Sequence, residues 1–336
     1  MKRLILFALV CLSAVGVFAQ TKTVAIQDIN IRDPYILPDA KNGVYYMYQS
    51  SSVGHDGRSY GGVVAWKSRD LKTWEGPIRV FEVPHDNWIT GGVWAPEVHK
   101  YKNKYYLFAT LNSDVRWKGQ KPGHPAYNHR ATQIFWSKSP EGPFLPFESK
   151  QPHTPLDEMC LDGTLWVEDG TPYMIYCHEW VEILDGEMDL VELKKDLSAT
   201  VGEHQRLFCA SAAEWSTGGG TAFEGVKSFV TDGCFLYTTK SGTLLMLWSN
   251  FCESGYCVGI ARSENGNILG PWIHEEKRLF CKQKEDEYDG GHGMIFTDTD
   301  GQMYLTLHSP NCPTEQFAER TIFIPIKEEN NTLVID

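Results

Sequence analysis

The sequence predicts an all-β fold, a five-bladed β-propeller with four antiparallel strands per blade, and three observations carry that prediction. Five stretches share one hairpin shape: a small or acidic start, a short apolar strand, a Gly-centred turn, then a strand rich in aromatic and apolar residues. They are Asp33 to Tyr48, Glu97 to Ala109, Asp162 to Tyr176, Asp232 to Trp248 and His292 to His308. Their leading residues lie 64, 65, 70 and 60 positions apart, a period that suits one propeller blade. Between the hairpins a second element recurs, an apolar strand followed by a polar turn with Gly and Pro and a further edge segment.

Taken in order, the hairpins supply two inner strands per blade. Asp162 to Tyr176 reads most clearly, because its two apolar runs flank the Asp169-Gly170 turn. The outer pair comes from Val63 to Leu71 before Glu75-Gly76-Pro77, Gln133 to Ser139 before Glu141-Gly142-Pro143, and Val258 to Ser263 before Leu269-Gly270-Pro271. Val191 to Leu197, ahead of Leu207, is a weaker copy, and Thr321 to Ile326 with Thr332 to Ile335 completes the fifth blade. No segment sustains a helical period.

Ahead of the first hairpin, residues 1 to 19 read as a secretory signal: Lys2 and Arg3, an apolar core from Leu4 to Phe18, and cleavage near Ala19. Val10 is too bulky for Cys11 to serve as a lipidation site. No later apolar run is long enough to span a bilayer, so no membrane insertion is expected. The remaining chain, residues 20 to 336, is expected to form a single catalytic domain.

The net charge is −12, and loss of Lys2 and Arg3 with the leader deepens it by two. Such an acidic surface disfavours nucleic acid and anionic membrane and suits neutral carbohydrate or a cation. Of the eight cysteines beyond the leader, Cys252 and Cys257 flank a short turn and could form a disulfide. The others read as small buried hydrophobes, and the absence of a CxxC motif argues against a structural zinc site.

In a propeller the first strand of each blade lines the axis, so Asp33, Glu97, Asp162, Asp232 and His292 should converge on one mouth. Each Asp alone could simply cap a turn. Four carboxylates and an imidazole in register would instead shift one another's pKa values, which points to chemistry or to a bound cation.

Arg32-Asp33-Pro34-Tyr35, Trp94-Ala95-Pro96-Glu97, Leu161-Asp162-Gly163 and Gly290-Gly291-His292-Gly293 resemble the motifs of glycoside hydrolase family 43 over nearly all of the chain beyond the leader. The resemblance implies five-bladed enzymes that cleave arabinofuranosyl or xylosyl linkages with inversion, using a base, an acid and a third carboxylate that tunes the acid. By position Asp33 matches the base; it precedes Pro34, which fixes the backbone and lacks a competing N–H. Asp162 matches the tuning residue, whose charge would keep a nearby carboxyl protonated.

The acid position departs from the family pattern. Where a Glu-Gly-Pro is usual, this chain reads Asp232-Gly233-Cys234, one methylene shorter. Either Asp232 serves, as the hairpin register favours, or Glu224 does from the preceding loop, with Glu214 a remoter candidate. The resemblance places Glu97 near base and substrate; beside it Trp94 could stack on a sugar face or pack between blades, and Arg320, near the end of the fifth blade, is either solvated or within reach of a substrate hydroxyl. In many relatives the histidine matching His292 faces a hydrated axial cation, often calcium; calcium prefers oxygen, so water would supply most of its shell. No other cofactor is required. His124 and His129 lie on a loop, residues 117 to 130, that reads as a rim of the site rather than a metal site. His178 and Glu179 read as the polar end of a strand, with lining of the mouth as the alternative.

The expectation is an exported, periplasmic or secreted, monomeric bacterial glycosidase acting on plant or microbial polysaccharide or oligosaccharide. The alternatives are a carbohydrate-binding propeller without catalysis, motivated by Asp232, and a glycosidase of galactofuranosides or fructans, because rim loops choose the sugar.

Overall fold

Runs rich in Val, Ile, Tyr and Trp, broken every few residues by Gly, Pro and Asp, become short twisted sheets arranged around one axis. The computed structural model describes residues 22–52, 61–84, 86–116, 127–218, 226–311 and 319–336. The proposed leader, Glu224, His124, Cys312 and most of the 117–130 loop lie outside the described residues.

Blade 1 holds β1 (Lys22–Ala25), β2 (Tyr35–Asp39), β3 (Val44–Ser51), β4 (Gly62–Ser68) and β5 (Thr73–Glu82). Blade 2 holds β6 (Val93–Tyr101), β7 (Lys104–Arg116), β8 (Asn128–Ser137) and β9 (Leu145–Pro146). Blade 3 holds β10 (Cys160–Glu168), β11 (Thr171–His178), β12 (Glu187–Leu193) and β13 (Thr200–Cys209), with a single helical turn, α1 (Trp180–Ile183), between β11 and β12. Blade 4 holds β14 (Asp232–Thr238), β15 (Leu244–Cys252), β16 (Gly255–Ser263) and β17 (Trp272–His274). Blade 5 holds β18 (Gly291–Thr297), β19 (Met303–Ser309), β20 (Arg320–Glu329) and β21 (Thr332–Ile335). In each blade consecutive strands pair antiparallel from the axis outward, giving the expected five-bladed propeller; β1 adds a fifth, outermost strand beside β5.

The core lies between blades. Phe81 of blade 1 meets Phe135 of blade 2 with ring centroids 4.3 Å apart. Trp248 of blade 4 packs against Trp215 at 5.0 Å. Gly259 makes room for Trp215, since a Cβ there would sit 2.2 Å from its ring. The ring closes where the segment before β2 meets β20: the Ile31 amide donates to Glu319 O at 3.1 Å and Arg320 Nε to Gln27 O at 3.0 Å. Among the described residues no helix is long and apolar enough to cross a membrane.

One local feature repeats in all five blades. At the inner strand's entry stands a residue with left-handed φ: Asp33 (51°), Ala95 (40°), Asp162 (55°), Gly233 (49°) and His292 (54°). In blades 2 to 5 it forms a bulge that shifts the ladder register between Trp94 and Glu97, Leu161 and Thr164, Asp232 and Phe235, and Gly291 and Met294. A bulge re-aims the side chains beside it, and side chains in this strained region cluster at functional sites.

Candidate active site

The left-handed entries of the inner strands bring four of the five expected mouth residues together, with a bulge beside three of them. His292 Nδ1 lies 3.3 Å from Asp33 Oδ1, 3.5 Å from Asp232 Oδ1 and 3.7 Å from Asp162 Oδ2. Asp162 accepts from the Gly233 amide at 3.2 Å, and its own amide donates to Thr110 Oγ1 at 2.9 Å. The Tyr256 hydroxyl donates to Asp232 Oδ2. His308 Nδ1 stands 3.1 Å from Asp33 Oδ1, and Arg32 Nε lies 3.9 Å from the same oxygen.

These contacts separate the three carboxyls electrostatically. Burial works against the charge of Asp33, but His292, His308 and Arg32 outweigh it and bring its pKa down to about 2. Asp162 is pushed well above the carboxylate range, first by burial and then by the charge of Asp232 beside it. Asp232 is also disfavoured by burial, yet hydrogen bonds from Asp162, His292 and Tyr256 hold it below the usual range. The pair therefore shares one proton, which rests on Asp162, the more buried partner. Burial works against a charge on His292, but the carboxyls around it, Asp33 foremost, raise its pKa well above the ordinary imidazole value.

A cavity of about 1010 Å3 opens over this cluster, lined by Asp33, Asp162, Asp232, Trp94, Glu179 and Trp180 among others. Trp94 is 43% exposed, with the Arg130 guanidinium 4.2 Å from its ring centroid. Arg130 also donates to Glu179 and, at 2.6 Å, to Asn112 Oδ1. Burial raises the pKa of Glu179 even against the pull of Arg130.

Glu97 is the mouth residue that the structure places elsewhere. In blade 2 the left-handed position belongs to Ala95, so Glu97 falls two residues further along the strand, level with Tyr35, Thr164 and Met294. There it pairs with His99 Nε2 at 2.8 Å, while His99 Nδ1 meets the Tyr35 hydroxyl at 3.2 Å. Asp232 likewise stands one residue ahead of the left-handed Gly233, and its side chain still reaches the cluster. Arg320 is engaged by backbone carbonyls of Gln27 and Glu319. Glu214 is exposed and does not line the cavity, and His178 turns toward Glu182 on blade 3. Cys252 and Cys257 are both free thiols.

The axial calcium can be tested against this geometry. Below the aspartates, a void of about 10 Å3 is bordered by Glu97, Tyr35, Ala95 and His292. That is room for about one water-sized body. The void has no room for several waters; the residues that would face a cation on the axis are Asp162, Asp232 and His292, whose ligand atoms lie within 4.8 Å of one another.

Four side chains of the site, Arg32, Trp180, Tyr256 and His308, were not singled out as catalytic or binding candidates in the sequence, whereas Glu179 stood there as an alternative lining of the mouth and Arg130 as the end of the rim loop. For Tyr256 a signal exists in the Gly290-Gly291-His292-Gly293 motif, because a Cβ on Gly291 would sit 2.2 Å from its ring.

Comparison with known proteins agrees with this geometry. A family model described as glycosyl hydrolases family 43 matches residues 24–329. The structure of an endo-arabinase from Bacteroides thetaiotaomicron VPI-5482 is similar over 92% of this chain and 98% of its own, at 36% identity and a TM-score of 0.76. A thermostable family-43 glycoside hydrolase shares the fold at 23% identity and a TM-score of 0.75, over 93% of this chain and 94% of its own. The alpha-L-arabinofuranosidase 43 of Humicola insolens is 20% identical over 225 residues; the match spans 63% of this chain and only 41% of that enzyme's length. With its matched span, its five blades and its ring of carboxyls, the chain belongs to glycosyl hydrolases family 43 and is a glycoside hydrolase.

Proposed function

We propose that this chain is an exported, inverting glycosidase that cleaves arabinofuranosyl linkages in plant or microbial polysaccharide, with xylosyl linkages as the next substrate class. The observation that carries the reading is the opposite protonation of carboxyls sharing one cavity, ionised Asp33 against the proton-bearing Asp162–Asp232 pair. Likeness to an endo-arabinase at 36% identity makes arabinan the first substrate.

Asp33 takes a proton from water as the water oxygen attacks the anomeric carbon. The bond from that carbon to the leaving oxygen breaks, and the leaving oxygen receives the proton of the pair through Asp232, whose side chain is 22% exposed against 4% for Asp162. Asp162 then acts as reservoir and tuner. Asp33 Oδ1 and Asp232 Oδ1 both face His292 Nδ1, at 3.3 Å and 3.5 Å, so base and acid stand on either side of one imidazole. Trp94 offers an apolar face to the sugar.

A second reading gives the acid role to Glu179, favoured by its place on the cavity wall and its raised pKa. Glu224, outside the described residues, is the third candidate. Hydrolysis of arabinan and of arabinosyl, xylosyl and galactofuranosyl glycosides by wild type, Asp232→Asn, Glu179→Gln and Glu224→Gln decides among them. The proposal expects inverted arabinose-containing products and the largest loss on Asp232→Asn. A wild type that binds arabinan and releases nothing from any of these would favour a binding propeller instead. Export is checked by N-terminal sequencing of the protein from a periplasmic or culture fraction, with Gln20 expected first.

A further inference from the structure

Blade 3 carries a second cluster of titratable side chains, outside the reaction site. His178 ends β11 and lies opposite Glu187, the first residue of β12, with Asp189 two residues on and facing the same side. Glu158 approaches from the segment before β10. Glu182 of α1 accepts from His178 Nε2 at 3.1 Å and from the Met159 amide at 2.8 Å.

That contact leaves Nδ1 facing two carboxylates, Glu187 Oε2 at 3.8 Å and Glu158 Oε2 at 3.9 Å. Both distances are too long for hydrogen bonds. They are close to the separation of two ligands that share an ion about 2.0–2.2 Å from each. A carboxylate oxygen of Asp189 lies within 4.8 Å of ligand atoms of Glu158 and His178.

Asp189 supplies an independent observation. It is only 6% exposed, yet its Oδ1 is buried with no hydrogen-bond partner. An unpaired buried carboxylate oxygen is destabilising unless something absent from the protein alone satisfies it. Arg206 reaches Glu187 Oε1 at 2.8 Å from the rim, with a side chain 59% exposed.

We propose that Glu158, His178 and Asp189 bind a divalent transition-metal ion, with Glu187 completing the set and Glu182 orienting the imidazole. An imidazole with carboxylates suits Zn2+ among the available ions, and a ligand His whose other nitrogen donates to a carboxylate is the usual outer-shell pattern. His178 is followed directly by Glu179 and Trp180, which line the cavity, so the ion braces the wall of the reaction site from behind.

The test is equilibrium dialysis of chelator-stripped full-length protein against Zn2+, with melting curves in parallel. The wild type is expected to take up one equivalent at this site and to melt at a higher temperature when saturated. His178→Gln and Asp189→Asn should weaken binding by about 100-fold or more, and Glu182→Gln by about 10–100-fold. Glu158→Gln changes a side chain that is 35% exposed, so it should fold normally and still lose affinity at least about tenfold. Asp232→Asn should keep the equivalent, which separates this site from the aspartates of the mouth. Absence of stoichiometric Zn2+ uptake by the wild type, or equal uptake by Glu158→Gln and Asp189→Asn, overturns the proposal and leaves the cluster as a closed network around a protonated His178.

Discussion

The Gly233 amide donates to Asp162 Oδ2 at 3.2 Å, so the residue after Asp232 in blade 4 fixes the carboxyl of its neighbour in blade 3. Gly233 takes the left-handed backbone that a side chain would strain, and a Cβ there would sit 2.7 Å from the His292 ring. Asp162, Asp232 and His292 are thereby locked as one unit, and their protons are not independent.

Removing the base should abolish turnover without removing binding. Asp33→Asn is expected to lower kcat on arabinan by about 1,000-fold, within the range of general-base loss, while affinity for oligosaccharide measured calorimetrically changes little. A variant within threefold of wild-type kcat would exclude Asp33 as base.

The leaving group separates the acid candidates. If Asp232 delivers the proton, Asp232→Asn should lose about 100-fold or more on arabinan but far less on an aryl glycoside whose leaving group needs no protonation. Glu179→Gln should show the smaller loss on arabinan; the reverse ranking transfers the acid role to Glu179.

Gly291 supports Tyr256, which supports Asp232. Gly291→Ala would press its methyl into the Tyr256 ring and displace the donor from Asp232. Its kcat should fall about tenfold or more, in step with Tyr256→Phe, since each deprives Asp232 of a charge-assisted hydrogen bond. Full activity in Tyr256→Phe would show that this donor is dispensable.

Stability should fall at both ends of the pH scale. Asp33, held at about 2 against an ordinary 3.8, contributes stability that is complete above the ordinary value and lost as pH falls through about 2. His292 is raised above its ordinary 6.5, so its contribution is complete below 6.5 and lost as pH rises through the raised value. Asp33→Asn removes one partner from each balance, and urea unfolding followed from about pH 2 to about pH 10 should show both limbs flattened. A variant profile parallel to wild type at both ends would contradict this assignment.

Trp94→Ala should raise KM about tenfold with a smaller change in kcat, because an aromatic platform binds substrate and transition state alike. A fall in kcat at unchanged KM would point instead to loss of Arg130, whose guanidinium rests on that ring.

The sequence by itself determined the fold and most of the aspartate site. Hairpins about 65 residues apart, each with period-two apolar strands, can bury their faces only by stacking as blades, and Asp33, Asp162, Asp232 and His292 all open inner strands. Glu97 was misplaced because a bulge adds a residue without altering the hydrophobic alternation, so only the backbone reveals that Ala95 holds the equivalent position. Tertiary structure alone decided which carboxyl carries the proton, since that depends on Tyr256, His292 and His308 arriving from blades 4 and 5. It also decided that Glu179 and Arg130 meet beside Trp94, and that Glu158, from the segment before β10, comes close to His178 of β11 and Asp189 of β12. Charge–charge energies depend on distance and burial, and residues far apart along a chain acquire both only when the ring closes.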